Sequence, residues 1–154
     1  MGTRSAIGIM HGDVLKAVYC HWDGYLEHNG RILQEHYDST KANNLVALGG
    51  LSSLRPEIGE KHVFSRLDSD LPEAEYEKLY GNMCTFYGRD RGEEGQSWNT
   101  FHSFKDFMEY YEGSWCEYMY IMKEGVWYYC QAGDTELKLL SEGLALLQTE
   151  ALTA

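Results

Sequence analysis

The residues with the most chemical character lie in one short run, Cys20-His21-Trp22-Asp23-Gly24-Tyr25, continuing through Glu27, His28, Asn29 and Arg31. His21 and Asp23 stand two apart, so at a strand end their side chains would project to one face. An imidazole beside a carboxylate is the best general acid–base pair the chain offers, and Cys20 or His28 could complete a metal set around them. The same run also reads as a structural turn, with Trp22 in the core and the polar groups fixing the bend, or as a polar recognition site. Zinc-type spacing is absent and no HExxH pair occurs, so neither metal nor cofactor is expected.

A second cluster runs from Tyr80 to Gly95 and holds Tyr87, Arg89, Asp90 and Arg91. Two guanidinium forks in a Gly-rich loop suit a phosphate, because their donors match its oxygens. Asp90, Glu93 and Glu94 neutralise that charge, which favours a self-paired, solvated loop. If the clusters met, His21, Asp23, Tyr25, Asn29 and Arg31 would face Tyr87, Arg89, Asp90 and Arg91 across a nucleotide-sized pocket. No Walker loop and no GxSxG elbow is present, and no spacing selects a Ser-His-Asp triad. No catalytic residue is therefore assigned, and the reading leans away from an enzyme.

Charge supplies the third clue. Residues 1–66 carry seven Lys/Arg and seven Asp/Glu, so the formal net charge of −11 belongs entirely to residues 67–154. That half also holds nine of the twelve Tyr, three of the four Trp and four of the five Phe. Glu73, Glu75, Glu77, Glu93, Glu94, Asp106, Glu109, Glu112 and Glu117 are spread over predicted helices and turns, where they can form a two-dimensional array. Such an array can occupy a basic groove built to neutralise phosphates. The plainer alternative is that the carboxylates only keep the protein soluble.

These residues need elements to position them. Ala6–Met10 and Val14–Cys20 flank His11-Gly12-Asp13 and predict a hairpin. Helices are expected from Arg31 to Tyr37 and, capped at Asp38-Ser39-Thr40, through Leu48. Residues 51–66 read as loop with one brief strand at His62–Ser65. Asp70 and Pro72 open a helix that Gly81 stops. Gly88–Thr100 reads as an exposed loop. Ser103 with Asp106 resembles a capping box for a helix to about Glu112, with Phe104, Phe107, Met108 and Tyr111 toward the core. Cys116–Met122 and Val126–Gln131 flank Lys123-Glu124-Gly125, a second hairpin. A last helix, capped by Asp134, is expected from Thr135 to about Ala151, with Leu137, Leu140, Leu144 and Leu147 as its apolar stripe. Together they predict a single α+β domain over residues 1–154: an antiparallel sheet from two hairpins, with helices packed mainly on one face.

The chain has no apolar run long enough to span a membrane and no signal-type start. Its four cysteines lie far apart without CxxC spacing, as expected of reduced, buried thiols.

The segments Met1-Gly2-Thr3-Arg4-Ser5, Val18 through Tyr25, Asn29 through Leu33, Glu35-His36-Tyr37, Leu48-Gly49, Leu51 through Leu54 and Phe86 through Glu93 resemble a family of small, uncharacterised bacteriophage proteins. The Cys-His-Trp-Asp-Gly-Tyr string is the distinctive part. The resemblance implies a non-virion protein of the host cytoplasm, and no site residue comes with it. Origin and charge together predict an acidic interaction protein. It would inhibit a host nucleic-acid-processing or defence enzyme, in the manner of an anti-CRISPR, anti-restriction or host-takeover protein. Its partner would carry a basic surface, with no direct nucleic-acid or membrane binding. The alternative is a nucleotide sponge or small phosphate-directed enzyme using the His21–Arg31 and Tyr87–Arg91 segments.

Overall fold

A computed structural model describes residues 2–153, with side-chain surroundings for residues 2–149. The chain is a single α+β domain built on one mostly antiparallel sheet of eight strands. Strands β1 (Arg4–His11) and β2 (Val14–Cys20) form the first hairpin, with Ile7 opposite Val18. β6 (Cys116–Lys123) and β7 (Val126–Gln131) form the second, with Tyr120 opposite Tyr129. Its two-residue turn needs φ > 0 twice, and Glu124 (φ 52°) and Gly125 (φ 80°) supply it. The hairpins join through a parallel pairing of β1 with β6, Ile7 opposite Tyr120.

Four short strands extend the sheet. β3 (Leu51–Ser53) runs parallel to the end of β2, and β4 (Thr85–Phe86) pairs with β3. β5 (Asn99–Phe101) pairs with Leu15–Ala17 of β2, and β8 (Lys138–Leu139) edges β7. The helices are α1 (Arg31–His36), entered from a π-helical turn at Leu26–Gly30, α2 (Ser39–Ala47), α3 (Glu73–Tyr80), α4 (Tyr87–Arg91), α5 (Phe104–Gly113) and α6 (Leu140–Thr153). Local caps set two of them: Asp38 accepts from Lys41 N at 2.8 Å and Ser103 from Asp106 N at 3.1 Å.

Strand alternation sends side chains to two cores. Ile7, Ile9, Val18, Tyr120, Met122 and Trp127 meet Leu33 of α1, Leu45 of α2 and Leu140 and Leu144 of α6. Ala6, Leu15, Ala17, Met119 and Ile121 face the other way, under Phe107, Met108 and Tyr111 of α5. Each large side chain so buried contributes about 1.5–3 kcal/mol of transfer free energy. Three helices thus cover one face and α5 covers part of the other. Past α5, the end of that second face carries Arg4, Tyr19 and His21, all half-buried.

Three local expectations are corrected. No strand forms at residues 62–65, because His62 N–H goes to the buried Asp90 carboxylate (3.1 Å) instead of a ladder partner, and the strand lies earlier, at Leu51–Ser53. Residues 88–100 are not one exposed loop. Asp90 reaches back to Phe86 N at 2.8 Å and closes α4, while Asn99–Phe101 is drawn into the sheet beside β2. The last helix starts at Leu140, not Thr135. Asp134 accepts from Gln131 N at 2.9 Å and closes the turn after β7, so Lys138–Leu139 pair as a strand first. Leu137 then packs in the α5 core, and only Leu140, Leu144 and Leu147 share the α6 stripe.

Candidate functional site

The first polar cluster is largely a locked turn. Asp23 adopts φ 56°, Gly24 N donates to Thr3 O at 2.8 Å, and the buried Tyr120 hydroxyl donates to Gly24 O at 2.5 Å. Asn29, fully buried, donates from Nδ2 to Ser5 Oγ (3.2 Å), Trp22 O (3.3 Å) and Cys20 Sγ (3.5 Å). Its Oδ1 meets His28 Nδ1 at 2.9 Å. Asn29 therefore pins the turn and offers nothing to a ligand. Tyr25 is partly exposed with its ring against His28, and Arg31 lies on the surface of α1 beside Glu35 at 3.9 Å.

Because the chain bends at Asp23, the two acid–base candidates part company. His21 lines one cleft with Trp22, while Asp23 lines another with Tyr76, Tyr80 and Thr85. Trp22, expected in the core, is 44% exposed and borders both.

The second cluster is structural in a different way. The Asp90 side chain is fully buried and accepts from His62 N, Phe86 N and Arg89. Arg89 engages all five of its N–H donors: two on Asp90, one each on the carbonyls of Ile58, Gly59 and Cys84. Arg91 pairs with Glu93 and lies over the rings of Phe64 (4.5 Å) and Tyr87 (4.9 Å). The sheet does draw the clusters near each other through the row Cys20–Leu51–Phe86. Even so, the nine residues do not line one pocket.

All nine acidic positions are exposed, in separate groups. Glu73, Glu75 and Glu77 lie on α3, with Glu73 paired to Arg66 at 2.5 Å. Glu93 and Glu94 lie in the loop after α4. Asp106, Glu109 and Glu112 run along α5, which also exposes Tyr110, and Glu117 follows at the start of β6. Lys105 reaches Glu109 at 4.0 Å, and Glu112 accepts from Gly133 N at 3.1 Å.

A cleft at the uncovered end of the sheet was not anticipated from the residues. It measures about 510 Å³ and is lined by Gly2, Arg4, His21, Trp22, Trp115 and Glu117. Trp115 is 75% exposed and left-handed at φ 69°. It stands just past α5, where its N–H closes on Glu112 O at 3.1 Å, a position that glycine favours. The signal available in the sequence was a helix end with a large aromatic where glycine would serve. His21 Nδ1 meets the Tyr19 hydroxyl at 2.8 Å. Burial, and then the nearby Arg4 charge, lower the His21 pKa, so the ring is neutral at pH 7. Burial pushes the Tyr19 hydroxyl up to about 12, so it keeps its proton.

Among the described residues no group of three His, Cys, Asp or Glu gathers to hold a metal ion, and no helix is long and apolar enough to cross a membrane. No protein-family model, no curated protein and no solved structure matches the chain.

Proposed function

We propose that this chain is an interaction protein. It docks through the acidic face of α5 onto a positively charged surface, of the kind a nucleic-acid-processing or defence enzyme uses to hold phosphates, and blocks it. Such an enzyme would belong to a bacterial host, as the resemblance to phage proteins implies. The observation that carries this reading is the α5 stripe itself. Asp106, Glu109 and Glu112 stand exposed on a helix whose opposite face, Phe107, Met108 and Tyr111, is fixed in the core. A rigid array loses little freedom on binding, and complementary charge gives on-rate and orientation. Tyr110, 49% exposed in the same stripe, adds an aromatic anchor. The alternative phosphate site on the two polar clusters is less well supported, because Arg89 is fully engaged and Arg31 and Arg91 are paired on the surface.

The test is capture of nucleic-acid enzymes from bacterial host lysate, with inhibition of the captured enzyme as the readout. The interaction is expected to hold near about 0.1 M salt and to fail near about 0.5 M as screening shortens. Replacing Asp106, Glu109 and Glu112 together by Lys should abolish it. Capture indifferent to salt, or retained by the triple variant, sinks the proposal.

A further inference from the structure

We infer that the cleft between Trp22 and Trp115 binds a nucleoside 5′-monophosphate, its base against the indoles and its phosphate on Arg4. This goes beyond the docking reading and is independent of it.

Arg4 is the starting point. Arg31, Arg66, Arg89 and Arg91 are each ion-paired, and Arg55 donates to Leu54 O and meets His28. Among the described residues Arg4 is the one arginine with neither an ion pair nor a side-chain hydrogen bond. A free guanidinium fork in a chain of net charge −11 is a place where an anion can still bind.

The walls select what accompanies the anion. Two exposed indoles border the same cleft, and every nucleobase has a π-face that stacks on such rings. Trp22 is held from behind by the Gly2 backbone, for a Cβ at position 2 would collide with the ring. Trp115 is exposed on a left-handed backbone, a conformation a bulky residue rarely adopts and one that often marks function. Glu117, exposed and without an ion pair among the described residues, can accept from a base N–H, as carboxylates do. The neutral His21 gives one ring nitrogen to Tyr19 and leaves the other for the ligand. A volume of about 510 Å³ lies within the range of small-ligand sites.

Charge also sets the size of the ligand. One guanidinium offsets only part of the roughly −1.5 to −2 charge of a terminal phosphate, and each further phosphate adds to the repulsion of an acidic protein. The order expected is therefore monophosphate, then diphosphate, then triphosphate, with a phosphorylated strand end weaker than the free nucleotide.

Quenching of tryptophan fluorescence by AMP and GMP, confirmed by calorimetry on the full chain, tests this. Saturable quenching is expected, with adenosine binding at least about tenfold more weakly than AMP and inorganic phosphate giving no quenching. Arg4→Gln should lower AMP affinity about tenfold while leaving adenosine unchanged, and Trp115→Gly should abolish saturable quenching. Neither variant removes core packing, and thermal unfolding of each confirms the fold. Absence of saturable quenching at 1 mM AMP, taken as roughly the weak limit for a real site, overturns the proposal; so does binding unchanged in both variants. A 5′-phosphorylated trinucleotide binding tighter than AMP would assign the same site to a strand end. The triple Lys variant of α5 should still bind AMP, so failure here and failure of the docking reading are told apart.

Discussion

Arg89 and Asp90, neighbours in sequence, hold each other beneath the surface through paired contacts of 3.0 and 3.2 Å, with the carboxylate fully buried. Around them the pair gathers His62 N, Phe86 N and three carbonyls from residues 58, 59 and 84. This pair organises the loops from 57 to 92, where the residue types alone suggested a phosphate clamp. Asp90→Ala leaves the Arg89 guanidinium without its counter-ion, held only by the three carbonyls, and the amides of His62 and Phe86 without an acceptor. Chemical denaturation should show a loss of about 3–5 kcal/mol, the usual cost of breaking one side of a buried pair. Arg31→Ala, on the surface of α1, should change stability by less than about 0.5 kcal/mol. Equal effects of the two would contradict the assignment.

Trp115 gives the opposite sign. It pays for a left-handed backbone with almost no burial, so Trp115→Gly should stabilise the protein by roughly 0.5–1 kcal/mol. A urea midpoint that moves downward would mean that the indole has a packing role. Stability gained while ligand binding is lost is the pattern of a residue kept for function.

Asn29 should behave as a structural pin. Asn29→Ala strips partners from Ser5, Trp22 O and His28 at once, and a cost of about 2 kcal/mol is expected by calorimetric melting. A neutral result would mean that water replaces the amide.

Some of this architecture was legible in the residues. Both hairpins follow from turn formers between alternating runs, and α5 follows from Ser103 and the spacing of Phe107, Met108 and Tyr111. The parallel pairing of β1 with β6 was not, since it depends on which edges meet after collapse and leaves no local signature. The same holds for β3, β4 and β8, each too short to carry a pattern. Of the residues that line the cleft, His21 stood out in the sequence as a polar candidate, whereas Trp22 was read as core and Arg4 and Trp115 come from other strand ends. Asn29 and Arg89 look like ligand residues in one dimension because burial is invisible there. Turn chemistry and binding chemistry draw on the same polar side chains.

The four thiols, all buried, should be inert in the native state. Burial pushes Cys20, Cys116 and Cys130 up to about 12, and raises Cys84 as well, so the reactive thiolate is scarce at pH 8. An aromatic disulfide reagent should therefore titrate none of them within minutes and all four in denaturant. Fast labelling of any one would place it at a surface.

His21 sets an acid dependence. Its folded pKa is lowered from 6.5, first by burial and then by Arg4. Between the lowered value and 6.5 the unfolded chain binds more protons, so the contribution is present above pH 6.5 and is lost as pH falls through the folded value. Melting temperatures from pH 7.5 to 5 should decline less in His21→Gln than in the parent. Parallel declines would remove His21 from the account.

The parallel seam between β1 and β6 also bears on biosynthesis. The first hairpin leaves the ribosome long before residue 116 exists, with the β1 edge that will become central still bare. An unpaired apolar edge of that kind recruits strands from other chains. Synthesis rate and chaperone supply should therefore decide the yield of this protein more than the stability of its finished sheet.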